Sequence, residues 1–561
     1  MGCDGVTPNP SASFAREMIA TLAAHGVRDF VLCPGSRSGP LAHALAEAAS
    51  ADPPLGAPQV NLHVRIDERS AAFLALGIAR AHAVAGTMRP VAVVTTSGTA
   101  VGNLFPAAME AHHSGLPLLL LTADRPGELR GVGANQTTDQ VGIFGTFARW
   151  SADAAAPTAG EAPGRAERLA ARAVAIALGE PRHSDNVAKA GPVHLDLEFR
   201  APLAADGGLW PRVSAQECVA GSALPADLPA GSFDALPSVT RGIVIAGDNA
   251  GDAARLVAEA HGWPLIAEPT SGARAGNNAI VGYLHVLASD KGRELADQVH
   301  QVVVVGRPTL SRPVQALIDQ AASLFVASHG ARWREAPRHA ERIVPEVPEA
   351  WLTRAAGTPG EEQAEWLARW HAASPRRAQR SETWSADAVA QAFIASLKPR
   401  SIALLGSSGP IRAIDRLAPT WNVGAVPTIV ANRGLAGIDG TVSTAVGMAL
   451  GSGQPVVALM GDVTFLHDGG GLLIGPHEAR PALRIVVVND GGGTIFSEME
   501  HAKAPADQME RVFTTPHAVD IASLCAAYGV RHAVVTDGAG LKAALAEPPT
   551  QFEVVEAKLT S

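Results

Sequence analysis

The sequence predicts an α/β protein of three tandem, open, mostly parallel α/β domains, and three observations carry that prediction. A chain of 561 residues is too long for a single hydrophobic core. Short β-branched runs alternate with helical patterns in three separate segments, as in parallel sheets covered by helices. Two poorer stretches separate the segments. Residues 201–238 are rich in Ala, Pro and Gly, and residues 343–385 mix Pro with charged helical sequence. Loops of that length are linker candidates. The expected domains are 1–205, 206–375 and 376–561, and the three units look like variants of one architecture.

The strands follow from continuous apolar runs, which mark strands buried on both faces. In the first segment they are expected near 30–33, 61–66, 91–95 and 118–122. The second segment offers 242–246, 302–305 and 324–327, and the third offers 402–405, 428–431, 456–460 and 484–488. Residues 2–10 carry no pattern and are expected to be loose.

Composition narrows the function class. With 47% hydrophobic and 18% charged residues the chain is globular. A net charge of −9 argues against nucleic acid or an acidic membrane as partner. Cys3, Cys33, Cys218 and Cys525 form no CxxC pair, which fits a reducing compartment and offers no zinc site. The longest apolar stretches, such as 117–121, are strand-sized, so no membrane span is expected. The N-terminus has no charged-then-apolar signal pattern, and a cytoplasmic protein is expected.

The most informative residues are Asp462 and Asp490, 28 positions apart. Each ends an apolar run and is followed by glycine-rich chain or a helical pattern. Acids at the C-terminal ends of parallel strands face the crevice where open α/β sheets bind ligands. Together they can hold one hard divalent cation, with a diphosphate completing the oxygen shell. Two helix N-caps at ordinary strand–helix turns fit these residues equally well when they are taken alone. The turn Gly406-Ser407-Ser408-Gly409-Pro410 is a second phosphate-friendly feature, since small residues let backbone N–H groups approach an anion. No GxGxxG or Walker P-loop is present, which disfavours a nicotinamide or ATP site. Asp67 and Glu68 read as first-turn acids favoured by the helix dipole.

The Gly461-Asp462 … Asn489-Asp490 pair resembles the metal–diphosphate motif of thiamine-diphosphate enzymes. Six further stretches look like one branch of them. They are Cys33-Pro34-Gly35-Ser36-Arg37, Ile66-Asp67-Glu68-Arg69, Thr96-Ser97-Gly98-Thr99-Ala100, Thr122-Ala123-Asp124-Arg125-Pro126, Gly133-Ala134-Asn135-Gln136, and the run from Asn432-Arg433 to Ile438-Asp439-Gly440. That branch is the 2-succinyl-5-enolpyruvyl-6-hydroxy-3-cyclohexene-1-carboxylate (SEPHCHC) synthase family of menaquinone biosynthesis. The similarity is weakest between about 201 and 395. Two positions depart from the wider pattern: Val463 replaces a Gly, and Asp490 an Asn. Both bear on the metal's identity, Mg²⁺ or Mn²⁺, rather than its presence.

The resemblance implies a thiamine-diphosphate fold and a transferase of the carboligase type. Asp462, Asp490 and the carbonyl of Gly492 would hold the cation. Ser407 and Ser408 would hold the diphosphate, with Gly461 and Val463 beside it. Glu68 would bond the pyrimidine N1′ and activate the coenzyme, and Ile438 would enforce its folded shape. The substrates would be 2-oxoglutarate, which is decarboxylated, and isochorismate, which receives the succinyl-semialdehyde unit. Both are dicarboxylates, so planar guanidinium groups should line the pocket. Arg37, Arg125, Arg412 and Arg433 lie in or beside matched motifs, and Arg312 is a further candidate. Ser36, Ser408 and Gln136 could bond substrate oxygens, and Ile495 and Phe496 would form an apolar wall. In this family each site is shared by two chains, so a homodimer or homotetramer is implied. Arg274 and Arg307 are expected to make a separate anion site in the second domain. The other readings are an acetohydroxyacid synthase-like ligase, a non-catalytic paralogue and a nucleotide-binding scaffold.

Overall fold

The computed structural model describes residues 9–161, 164–179, 189–213, 235–328, 339–353, 359–375, 381 and 383–559. Cys3, Cys218 and most of the stretch expected to be loose lie outside the described residues. Asn9 caps the helix Pro10–Ala24, its side chain accepting from the N–H of Ser11.

Three parallel sheets form. The first is built from β1 (Asp29–Leu32), β2 (Asn61–Val64), β3 (Val91–Thr95), β4 (Leu118–Asp124), β5 (Trp150–Ala154) and β6 (Val193–Glu198), in the order β2-β1-β3-β4-β6-β5. The second contains β7 (Gly242–Ala246), β8 (Leu265–Ala267), β9 (Gln301–Val305), β10 (Ser323–Ala327) and β11 (Arg342–Val344), in the order β11-β10-β9-β7-β8. The third contains β12 (Ile402–Leu405), β13 (Thr428–Val430), β14 (Val456–Gly461), β15 (Leu483–Asn489), β16 (Arg531–Val535) and β17 (Glu553–Lys558), in the order β13-β12-β14-β15-β17-β16. The first and third sheets therefore repeat one strand order, and the second keeps its central part. In each sheet the winding reverses beside the first strand. The crevice above such a reversal is where open α/β sheets bind ligands.

Every strand expected from an apolar run is present within a residue or two. The strands the runs did not reveal sit at sheet margins or carry polar residues. β6 alternates Val-His-Leu-Asp-Leu-Glu yet is buried along its whole length. Its polar side chains are buried because His194 and Asp196 bond Thr122 of β4, and Glu198 accepts the N–H groups of Gly127 and Ala156. β8 and β11 have three residues each, too few for a periodic signal.

The chain forms two compact units. One contains Met1–Ala223, Asp439–Gln454 and His467–Pro481, and the other Leu224–Ile438, Pro455–Leu466 and Ala482–Ser561. In the first unit, helix Glu68–Val84 packs against helix Thr441–Ser452. The contact is backbone to backbone: a Cβ on Gly77 would lie 2.2 Å from the Thr444 carbonyl, and one on Gly447 2.2 Å from that of Leu74. The 343–385 stretch is not a bare linker. Its helix Glu361–Ala373 buries Trp366 and Trp370 against the second sheet, and the Trp366 indole donates to the Gly242 carbonyl at 2.9 Å.

Candidate active site

In the second unit the chemistry gathers at the C-terminal ends of β12, β14 and β15. β14 is apolar until Gly461, and the next residue, Asp462, opens the short helix Asp462–His467. The Asp462 carboxylate is buried. Its Oδ1 accepts the N–H of Val463 at 2.6 Å, and its Oδ2 accepts those of Gly491 at 2.8 Å and Gly492 at 3.0 Å. His517 Nε2 lies 3.0 Å from the same oxygen. Only glycine suits the loop after β15: Gly491 has φ +83°, and at Gly492, φ +151°, a Cβ would meet the Thr514 carbonyl at 2.4 Å. Asp490 accepts the Thr494 hydroxyl at 2.5 Å. Burial pushes its carboxyl above the usual range, and the charge of Asp462 adds to the shift.

This donor set suits a hard divalent cation. The Asp462 charge adds to the cost of ionising Asp490, and a cation between them removes it. Among the described residues no three His, Cys, Asp or Glu form an ion cage. A cation here would complete its shell with a backbone carbonyl, as at Gly492, and with oxygens of the molecule it binds.

The turn after β12, the strand beside β14, suits an anion. Ser407 is buried, and its hydroxyl has no hydrogen-bond partner. Ser408 holds φ +79° just before the helix Gly409–Leu417. A non-glycine residue there is strained by about 1–3 kcal/mol, and such strain gathers at ligand sites. The helix start supplies positive potential. Ile495 and Phe496 lie in the 3₁₀ turn Thr494–Glu498, with the Phe496 ring 5.6 Å from that of Phe513. Ile438 and Val463 are half-buried.

Arg412 and Arg433 bond neighbouring residues, Leu310 and Thr309, that no sequence motif singled out. Arg412 Nη1 donates to the Leu310 carbonyl at 3.1 Å. Arg433 donates from Nε and Nη2 to the Thr309 hydroxyl at 3.0 and 2.8 Å, and from Nη2 to its carbonyl at 3.2 Å. Arg312 begins the helix Arg312–Asp319 as an exposed residue. Arg274 does not offer the anion site expected of it. Its buried guanidinium bonds the Ala267 and Ile414 carbonyls at 2.7 and 3.2 Å and Asp415 at 2.9 Å, bracing the second and third sheets within this unit. Arg307 Nη1 is buried without a partner.

In the first unit the expected residues lie at the C-terminal ends of β1 to β4. Glu68 opens the helix Glu68–Val84, with Asp67 as its N-cap accepting from Ser70 N–H at 3.0 Å. Asp67 thus has the plain capping role. Asn103 Nδ2 donates to Glu68 Oε2 at 3.2 Å. Burial, then the charges of Glu68 and Asp67, push the Cys33 thiol up, which places Glu68 beside the end of β1.

Arg125 follows β4, is buried, and donates to the Ser97 hydroxyl. That hydroxyl donates to the Gln136 carbonyl at 3.0 Å, and Gln136 Nε2 donates to the Ser97 carbonyl at 3.1 Å. Ser97 is thus the link between two expected site residues. Arg37 donates to the Phe199 carbonyl at 2.7 Å, while its buried Nε has no partner. Burial and then the charge of Arg125 lower its pKa. Two guanidinium groups that repel each other mark a place for an anion. Ser36 borders a neighbouring cavity of about 520 Å³, lined also by Pro34, His43 and Leu203. Beneath Arg125, Arg130 bonds Asp124 at 2.8 Å and Asp196 at 3.1 Å, and Gln140 bonds Asp196 at 2.6 Å. Sequence spacing gave no signal for Gln140, Asp196, His517 or Thr309.

Comparison with known proteins identifies the family. Residues 12–143 match the thiamine pyrophosphate enzyme N-terminal TPP binding domain, and residues 417–556 the C-terminal TPP binding domain. The chain is 44% identical to a 2-succinyl-5-enolpyruvyl-6-hydroxy-3-cyclohexene-1-carboxylate synthase of Nocardioides sp., over 98% of this chain and 95% of that one. It is 44% identical to the protein of that name from Kineococcus radiotolerans, over 98% and 96%. Its fold is similar to the crystal structure of benzoylformate decarboxylase from Polynucleobacter necessarius, with TM-score 0.65, 16% identity and 99% of each chain covered. The chain thus belongs to the SEPHCHC synthase family of thiamine-diphosphate-dependent enzymes.

Proposed function

We propose that this chain decarboxylates 2-oxoglutarate and adds the succinyl-semialdehyde unit to isochorismate, giving SEPHCHC in menaquinone biosynthesis. Family membership supports the reaction. The observation that favours it over an acetohydroxyacid synthase-like ligase is the arginine content of the site. Arg37 and Arg125 repel each other beside Ser97, and Arg412 and Arg433 share one bracing segment. A pyruvate-type donor calls for apolar walls, whereas two dicarboxylates call for cations.

Asp462, Asp490 and the Gly492 carbonyl would hold Mg²⁺ or Mn²⁺, and the Ser407–Ser408 turn the diphosphate. When bound, thiamine diphosphate supplies the carbon nucleophile and the electron sink for loss of CO₂. The chain's own residues do the rest. Glu68 holds and releases a proton at its carboxyl toward the pyrimidine N1′. Ile438, Ile495 and Phe496 exclude water. The arginines, Ser36, Ser408 and Gln136 hold and orient substrate carboxylates and hydroxyls, and Arg312 is kept as a candidate.

We propose domains 1–205, 206–375 and 376–561, one around each sheet, and a homodimer or homotetramer whose sites are shared between chains, as the family implies. Among the described residues no helix is long and apolar enough to cross a membrane. Cysteine usage supports the cytoplasm as its location.

The test is to incubate the protein with thiamine diphosphate, Mg²⁺, isochorismate and either 2-oxoglutarate or pyruvate, following isochorismate absorbance. Consumption with 2-oxoglutarate alone is expected. Equal consumption with pyruvate would favour the other ligase reading, and none with either donor would overturn the proposal.

A further inference from the structure

The substrate arginines proposed above do not stand alone. Arg412 lies on the helix Gly409–Leu417, and Arg433 follows β13, more than a hundred positions beyond the loop after β9. Arg433 reaches back to Thr309 and Arg412 to Leu310 in that loop. The loop's carbonyls and hydroxyl accept from the two guanidinium groups, and its N–H groups are taken from the opposite side. Glu268, buried after β8, accepts the N–H of Thr309 at 2.9 and 3.0 Å on its two oxygens and that of Leu310 at 2.9 Å. One carboxyl therefore holds the N–H groups of two successive residues whose carbonyls, with the Thr309 hydroxyl, accept from two arginines. Burial and then the charge of Asp415 push Glu268 up to about 8, and the N–H bonds and Arg433 oppose that shift. A group held under such desolvation needs all its partners, which makes the loop position stiff.

We propose that Thr309 and Leu310, locked by Glu268, are positioning residues that set Arg412 and Arg433 for the substrate carboxylates. The inference rests on the SEPHCHC synthase reading. Thr309 does this through its hydroxyl and carbonyl, which hold the Nε–Nη2 edge of Arg433. Leu310 does it through its carbonyl, while its buried side chain packs into the core around the third sheet. The central sheet thereby gains a part in substrate recognition through a loop that need not touch the substrate.

Thr309→Val keeps the side-chain volume and removes the hydroxyl that accepts from Nε and Nη2 of Arg433, leaving only the carbonyl contact. Thr309→Ser keeps the acceptor. The two variants, Arg433→Ala and wild type are compared by steady-state kinetics with 2-oxoglutarate and isochorismate, alongside thermal unfolding and thiamine diphosphate titration. The expected result is a KM for one substrate raised about 10-fold or more in Thr309→Val, with kcat changed less than 3-fold. Wild-type KM should return in Thr309→Ser, with the unfolding temperature of Thr309→Ser and the coenzyme affinity of every variant unchanged. Glu268→Ala should raise the same KM, and Glu268→Gln, which keeps an acceptor oxygen, should raise it less. A Thr309→Val enzyme with wild-type KM for both substrates, beside an impaired Arg433→Ala, would overturn the positioning role and leave the function intact. A Thr309→Ser enzyme as impaired as Thr309→Val would do the same. An inactive wild type, or an unimpaired Arg433→Ala, would overturn the underlying reading and this inference with it.

Discussion

Replacing Asp490 by Asn separates two roles of one carboxylate. The residue is half-buried beside the Asp462 charge and supported by the Thr494 hydroxyl. Asn keeps an oxygen for Thr494 and removes the repulsion. In EDTA the variant should therefore unfold at the wild-type temperature or above it. With Mg²⁺ and thiamine diphosphate the wild type should gain more. Equal gains in both proteins, read by thermal unfolding, would remove Asp490 from the cation shell. Glu68→Gln should keep the fold and most coenzyme affinity. It should slow turnover by about 10²–10⁴-fold, the usual worth of positioned acid–base catalysis. Deuterium exchange at C2 of the bound coenzyme should slow as well. Exchange at the wild-type rate would assign Glu68 another task.

At the scale of elements, the contact between helices Glu68–Val84 and Thr441–Ser452 depends on Gly77 and Gly447. Each faces the other helix's backbone too closely for a Cβ. Gly447→Val should cost about 1–3 kcal/mol or more through overpacking. The helix that would be pushed aside begins at Glu68, so activity should fall with stability. Urea unfolding of the variant checks this, and an unchanged midpoint would refute the packing argument. The strand elements were legible where runs were apolar on both faces, as in β3, β9 and β14. They were not legible in β6, whose Asp196 and His194 are buried only because Gln140, Arg130 and Thr122 come to meet them. A spacing rule sees polarity and assigns it to solvent. The site residues divided the same way. Asp462, Asp490 and Ser407 were visible because they end apolar runs. His517, Ser97, Thr309 and Glu268 have unremarkable sequence contexts and owe their roles to partners far along the chain.

For the whole molecule, the buried acids set a pH dependence. Burial pushes Glu268 up to about 8, Asp196 to about 7 and Asp468 to about 6. Each lies above its unfolded value, so the folded chain binds more protons than the unfolded one between the two. The stabilisation is complete near pH 4 and is lost as pH rises through 6 to 8. With other groups equal, denaturant midpoints should be lower at pH 9 than at pH 6, and Glu268→Gln should flatten the upper part of that slope. A Glu268→Gln profile parallel to wild type from pH 7 to 9 would contradict the assignment.

The linear sequence by itself determined the fold class, most strands, the acids and glycines at the strand ends, and the family. These are local properties, written in runs and spacings of a few residues. Only the tertiary structure decided that residues 439–454 pack with the first sheet's unit, that Arg37 faces Arg125, and that Thr309 holds Arg433. Those contacts join positions scores to hundreds of residues apart, where no periodicity survives and only packing and partner choice determine what meets.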